Sequence, residues 1–256
     1  MRLALRMARS GLCSRRQAEQ IIQQGRVQCG GTTVRDVAFC PQDEDVIAVD
    51  GRVLPPPQVT RLFAYHKPRK MLTTTHDPQG RRCLFDAVES QRQRYGVARL
   101  ISVGRLDYDS EGLIVLTNDG ALARHLELPS QGFERQYVVQ VVAPLSRKAC
   151  AVLAAGATIE GFRYRPVTVR AVGREARVFI DDHGGGNGVW LCASVREGKN
   201  REIRRLFDYV GHPVRRLLRI AYGPFRLGQL KAGELVEIPQ QRIPQFKEGV
   251  SWSNES

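Results

Sequence analysis

The chain has 256 residues, 39 Lys and Arg against 26 Asp and Glu, a formal charge of +13 and 42% hydrophobic residues. That apolar content supports one large domain or a small one beside a larger one, and the arginine-rich surplus of charge favours a polyanionic partner, nucleic acid above all. Arginines alternate with short apolar residues from Met1 to Arg9, and no apolar run reaches membrane-spanning length; the expectation is a cytoplasmic protein that does not enter membranes.

Residues 1–60 read as a separate module. Leu3, Leu5, Met7 and Ala8 belong to a short helix that Gly11 can end in a left-handed conformation. Ser14-Arg-Arg-Gln17 fits a capping box that opens a second helix, with Ala18, Ile21 and Ile22 inward and Gly25 at its end. Gly30-Gly31 and Asp50-Gly51 each join two short apolar runs, the pattern of tight hairpins. From Arg2 to Arg35 there are seven arginines and one acid, Glu19. Arg2, Arg6, Arg9, Arg15, Arg16 and Arg26 can therefore form one phosphate-binding surface. Pro55-Pro56-Pro57 opens a stiff linker over 55–58.

Residues 61–240 read as the second domain, with 241–256 a polar, disordered tail. Short strands alternate with a few helices: a strand at Leu62–Tyr65, a helix near Leu84–Ser90, a helix carrying Ala121, Leu122 and Leu126, and a strand at Tyr137–Val142. An amphipathic helix through Leu145, Ala149, Val152 and Leu153 stops at Gly156, and a hairpin turns around His183–Gly188. The pattern predicts an α+β fold built on a mixed, mainly antiparallel sheet with flanking helices. Gly198–Pro213 reads as a helix whose Ile203, Leu206, Phe207 and Val210 form one buried stripe. Arg201, Arg205 and Asp208 point away from that stripe and Arg204 lies at its border. Arg215, Arg216 and Arg219 extend the basic strip along a following strand.

Six cysteines lie far apart with no Cys-x-x-Cys pair and no histidine at ligand spacing, so they read as small buried hydrophobes and no metal is indicated. Walker and dinucleotide glycine patterns are missing, and His183-Gly-Gly-Gly186 lacks the serine elbow that an esterase oxyanion loop needs. An enzyme here works with carboxylate, tyrosine and arginine, without a cofactor. Gly104-Arg-Leu-Asp107 is the central candidate: a polar loop with Asp107, Asp109 and Glu111 between the apolar runs Leu100–Val103 and Leu113–Leu116. Such a loop is either a held catalytic carboxylate or an ordinary turn, and the loop alone leaves both open.

Taken together these segments resemble the RsuA/RluB branch of the bacterial pseudouridine synthases. Arg2, Gly11, Ser14-Arg15-Arg16, Ala18 and Gly25-Arg26-Val27 look like an S4 RNA-binding domain. His66-Lys67-Pro68, Gly104–Asp107 through Leu116–Gly120, Arg135-Gln-Tyr137 and Gly198–Arg205 resemble four further motifs of that family, in order. The resemblance implies that Asp107 initiates cleavage of a uridine's N-glycosidic bond, that Arg204 is its counter-ion and that Tyr137 stacks on the base. It implies a flipped uridine in ribosomal RNA, contacted by Arg2, Arg6, Arg15, Arg16, Arg26, Lys67, Arg105, Lys199, Asn200, Arg201 and Arg205, with no cofactor, no metal, no membrane and a monomeric enzyme. The large-subunit type fits best. A small-subunit target and a non-catalytic S4-type RNA binder are the alternatives.

Overall fold

A computed structural model of the chain describes residues 1–181 and 188–243. The hairpin expected around His183–Gly188 and nearly all of the polar tail fall outside the described residues. The chain folds as two compact units: Met1–Arg61 with Glu89–Ile101 and Thr117–Gly120, and Leu62–Val88 with Ser102–Leu116 and Ala121 onward. No helix among the described residues is long and apolar enough to cross a membrane.

In the first unit α1 (Leu3–Arg9) and α2 (Arg15–Gln23) pack on the sheet of β1 (Val27–Cys29), β2 (Thr32–Val34), β3 (Ile47–Val49) and β4 (Arg52–Val53), ordered β2-β1-β3-β4. Ser14 Oγ accepts from the Gln17 amide while the Gln17 side chain accepts from the Ser14 amide, so the expected capping box is formed. The hairpin turns carry positive φ at Gly30, Gly31, Asp50 and Gly51, the left-handed backbone that two-residue turns require. Leu3, Met7, Ala18, Ile22, Val27 and Val49 form the small core. The expected basic surface is partly consumed within the unit. Arg26 pairs with Asp50 at 2.5 Å, Arg9 with Asp119 at 2.5 Å and Arg15 with Glu19 at 3.3 Å, and Arg6 donates to the carbonyls of Gln42 and Asp43.

The second unit is built on a mixed sheet. Its elements in chain order begin with β5 (Leu62–Lys67), α3 (Leu84–Arg94, which passes into the first unit from Glu89), β6 (Ile101–Val103), β7 (Glu111–Thr117), α4 (Gly120–Glu127) and β8 (Arg135–Val141). They continue with α5 (Arg147–Ala155), β9 (Ala157–Ile159), β10 (Phe162–Tyr164), β11 (Thr168–Ala171), α6 (Arg174–Asp181) and β12 (Val189–Val195). The last are α7 (Glu202–Tyr209), β13 (Val214–Tyr222), β14 (Phe225–Arg226) and β15 (Leu235–Ile238). The strand order is β11-β12-β8-β13-β7-β5-β15, with β6 on β7 and β14 on β13. β13 runs parallel to β7 and antiparallel to β8, while β9 and β10 form a separate hairpin. All residues of β5 and β7 are buried, which explains their near-continuous apolar runs.

Two expectations fail. Arg216 and Arg219 do not extend a basic strip: Arg216 forms an ion pair with the buried Glu111 at 2.8 Å, and Arg219, 3% exposed, donates to the Leu113 carbonyl. The two residues point to opposite faces of β13, and β7 beside it meets each of them, with the Glu111 carboxylate and the Leu113 carbonyl. Of the six free cysteines, Cys29, Cys83 and Cys192 are buried, but Cys40 and Cys150 are exposed.

Candidate active site

The loop from Gly104 to Ser110 leaves the sheet after β6 and re-enters it at β7, and the fold holds it almost entirely by its main chain. The Gly104 amide donates to Glu127 Oε1 at 2.7 Å. Thr73 Oγ1 accepts from the Leu106 amide and donates to the Leu106 carbonyl. The Asp107 carbonyl takes the Ser110 amide, and the Tyr108 carbonyl takes the Lys70 amide. Arg204 Nη2 donates to the Asp109 carbonyl at 3.1 Å, and Lys67 Nζ to the Ser110 carbonyl at 2.7 Å. The Asp107 carboxylate takes no hydrogen bond from any described residue and lines a cleft of about 460 Å³. A fixed backbone therefore presents an unencumbered carboxylate, the arrangement a preorganised reacting group needs.

Tyr137 faces the same cleft from β8. The ladder sets it opposite Arg219 on β13, whose residue also lies opposite Gly112 at the start of β7. Gly112 (φ 102°) is required at that crossing, because a Cβ there would stand 2.3 Å from the Arg219 carbonyl oxygen. The Tyr222 ring closes one wall between the guanidinium groups of Arg135 and Arg219, at 4.9 and 5.2 Å from its centroid, and its hydroxyl donates to the Leu126 carbonyl. Burial raises the Tyr222 phenol above its ordinary pKa.

Arg204 is 6% exposed, buried rather than at a border. Its two terminal nitrogens donate to the carbonyls of Val214 and Asp109 while its Nε has no partner among the described residues, so it reaches Asp107 by charge and through the loop backbone rather than by a direct ion pair. Burial lowers the Arg204 pKa, with Arg201 adding to the effect and Asp107 and Asp109 opposing it. Lys67 needs correction as an RNA contact. It is fully buried at the end of β5, donating to the carbonyls of Pro68 and Ser110, and burial depresses its pKa to about 8 against the pull of Glu111 and Asp107. An ammonium without solvent access cannot meet a phosphate; it braces the Asp107 loop from below.

At the cleft mouth stand Arg105, Lys199, Asn200 and Arg201, all exposed. The helix expected from Gly198 begins at Glu202, because Arg201 adopts left-handed backbone (φ 51°) and leaves 198–201 as a loop over the cleft. Arg205 lies outside the cleft, beside the Tyr164 hydroxyl and Glu160. Sequence reasoning missed Glu202. This carboxyl is 5% exposed, lines the cleft wall and has neither oxygen hydrogen-bonded among the described residues. Burial, then the neighbouring Glu197 charge, pushes its pKa up to about 7. An acid in a helix's first turn ordinarily signals only a favourable dipole, so no sequence signal marked it.

Cations at the mouth and the Asp107 carboxylate held out from its loop inside suit an enzyme that draws a nucleic-acid strand to its surface and works on a single nucleotide. The chain belongs to the RNA pseudouridine synthase family, and it isomerises uridine to pseudouridine in RNA: residues 61–209 match the profile described as RNA pseudouridylate synthase, and residues 1–47 match the S4 domain. An uncharacterized RNA pseudouridine synthase of Rickettsia typhi is 37% identical over 93% of this chain and 91% of its own. The ribosomal large subunit pseudouridine synthase B of Vibrio cholerae is 34% identical over 94% of this chain and 73% of its own. A crystal structure titled pseudouridylate synthase shares the fold, with a TM-score of 0.63 at 24% identity over 94% of this chain and 99% of that one.

Proposed function

We propose that this protein converts a uridine of large-subunit ribosomal RNA to pseudouridine, as a monomer and without a cofactor, with Asp107 as the initiating carboxylate. The observation that carries the reading is the Asp107 carboxylate, which accepts no hydrogen bond among the described residues and lines the cleft from a loop clamped on both sides. The names of the Vibrio cholerae and Yersinia pestis relatives, both large-subunit enzymes, support the choice of substrate. The base is flipped into the cleft, with Tyr137 against its face and Arg105, Lys199 and Arg201 on the flanking phosphates. The C1′–N1 bond breaks, uracil turns, and a C1′–C5 bond forms. C5 then gives up its proton and N1 takes one up, so the reaction is balanced as an isomerisation. Direct attack at C1′ and elimination through a glycal both draw on the same ionised Asp107. Arg204 and Lys67 act by holding the loop.

The test is tritium release from ribosomal RNA carrying carbon-5-labelled uridine. Wild-type protein should release tritium from the large-subunit RNA, and Asp107→Asn should release none while binding RNA near normally. Turnover by Asp107→Asn close to wild type overturns the assignment of Asp107. Release from small-subunit RNA alone overturns the substrate.

A further inference from the structure

The β9–β10 hairpin lies beside the cleft loop and carries a solvent-exposed aromatic ring. Phe162 is 62% exposed, whereas Tyr164, two residues on and thus on the same face of the hairpin, is 3% exposed. Tyr164 is the link to the cleft. Lys199 stands over its ring at 5.7 Å and also donates to the Arg163 carbonyl. Arg205 donates to the Tyr164 hydroxyl at 3.3 Å and reaches Glu160, at the hairpin turn, at 3.7 Å. Arg165 pairs with Glu197 of the cleft wall at 3.0 Å. The face that carries Phe162 is therefore tied, contact by contact, to Lys199 at the cleft mouth. An exposed phenylalanine is unremarkable by itself. This one lies two residues from Tyr164, on which Lys199 and Arg205 converge, the first also paired with Glu197 at 3.1 Å; Arg163 faces the other way and donates to the Ala155 carbonyl.

We propose that the β9–β10 hairpin is a docking platform for unpaired RNA, on which Phe162 stacks against a base near the target uridine while Lys199 and Arg205 meet the intervening phosphates. Flipping a uridine out of folded RNA leaves neighbouring bases with a free π-face, and an aromatic side chain among cations is what captures such a base without regard to its identity. The inference rests on the cleft containing Asp107 being where the flipped uridine enters. It assigns the strand's path outside that cleft, which the chemistry of Asp107 does not require.

The test measures binding rather than turnover, so it is separable from the assignment of Asp107. The full chain is titrated against a fluorescent oligouridylate and against an RNA duplex of equal length, at two salt concentrations. Phe162→Ala should weaken oligouridylate binding about tenfold, the lower part of the range for one base stacked on an aromatic ring. It should leave duplex binding within about twofold of wild type and the salt dependence unchanged, since no phosphate contact is lost. Phe162→Trp should restore binding and Phe162→Leu, apolar but without a π-face, should not. The proposal is overturned if Phe162→Ala and Phe162→Leu bind oligouridylate like wild type, or if duplex binding falls equally. It also fails if the wild-type chain shows no oligouridylate binding.

Discussion

Replacing Glu202 by glutamine should stabilise the protein in neutral and alkaline solution relative to its effect in acid. The folded carboxyl titrates at about 7 because it is buried beside Glu197, with the Lys199 main chain and charge opposing only in part. In the unfolded chain it titrates near the ordinary value of 4.5. Below that value both states are protonated and the site costs nothing. As pH rises, the unfolded chain releases the proton first, so stability falls until the folded pKa is passed and stays lowered above it. A shift of roughly 2.5 units corresponds to about 3 kcal/mol. Glutamine cannot titrate, so the stability of the variant relative to wild type should grow by up to about 3 kcal/mol between acid and pH 8, or roughly 6–12 °C in melting temperature. Any fixed cost of burying an amide is equal at every pH and cancels in that difference. Urea denaturation of both proteins at several pH values from about 5 to 8 reads the effect directly. A difference that stays flat across this range means Glu202 titrates normally, and the argument from its burial is wrong.

Two further perturbations probe the frame of the site. Gly112→Ala should cost about 2–4 kcal/mol and depress turnover, because the new methyl meets the Arg219 main chain at 2.3 and 2.7 Å and backbone cannot swing aside; a melting temperature equal to wild type would contradict this. Glu111→Ala should cost about 3 kcal/mol by removing the buried carboxylate that Arg216 pairs with. The double variant with Arg216→Ala should cost less than the two single losses added, and strict additivity in that double-mutant cycle would show that the ion pair is not coupled.

Local chemistry made much of the fold legible. Ser14 and Gln17, the Gly30-Gly31 and Asp50-Gly51 turns, the stop of α5 at Gly156 and the α7 stripe each depend on residues adjacent in sequence. Asp107, Tyr137 and the 199–201 loop could be named because family resemblance preserved their order, and the fold brings all of them to one cleft. What stayed hidden depended on long-range burial of charge. Lys67, Arg216 and Arg219 read as an RNA contact and a basic strip, and Arg204 as a border residue and, by resemblance, the counter-ion of Asp107, yet their partners are carbonyls and a carboxylate from distant segments: Ser110, Asp109, Glu111 and Leu113. A lysine closing a strand of six buried residues was the one available clue, since such a strand has no wet face for it. Glu202 gave no clue, because its neighbour Glu197 and its burial exist only once 197–201 folds over the cleft.

The row that joins Gly112, Arg219 and Tyr137 across three strands sets a timetable as well as a geometry. β7 meets its parallel partner β13 only after about a hundred intervening residues, and Arg204 and Tyr222 are also contributed late. Such non-local pairing cannot form on a partial chain. During synthesis the basic N-terminal unit emerges long before the cleft can close. The growing polypeptide thus displays its arginine-rich first unit before the cleft exists, and the cleft is complete only once β13 has been made.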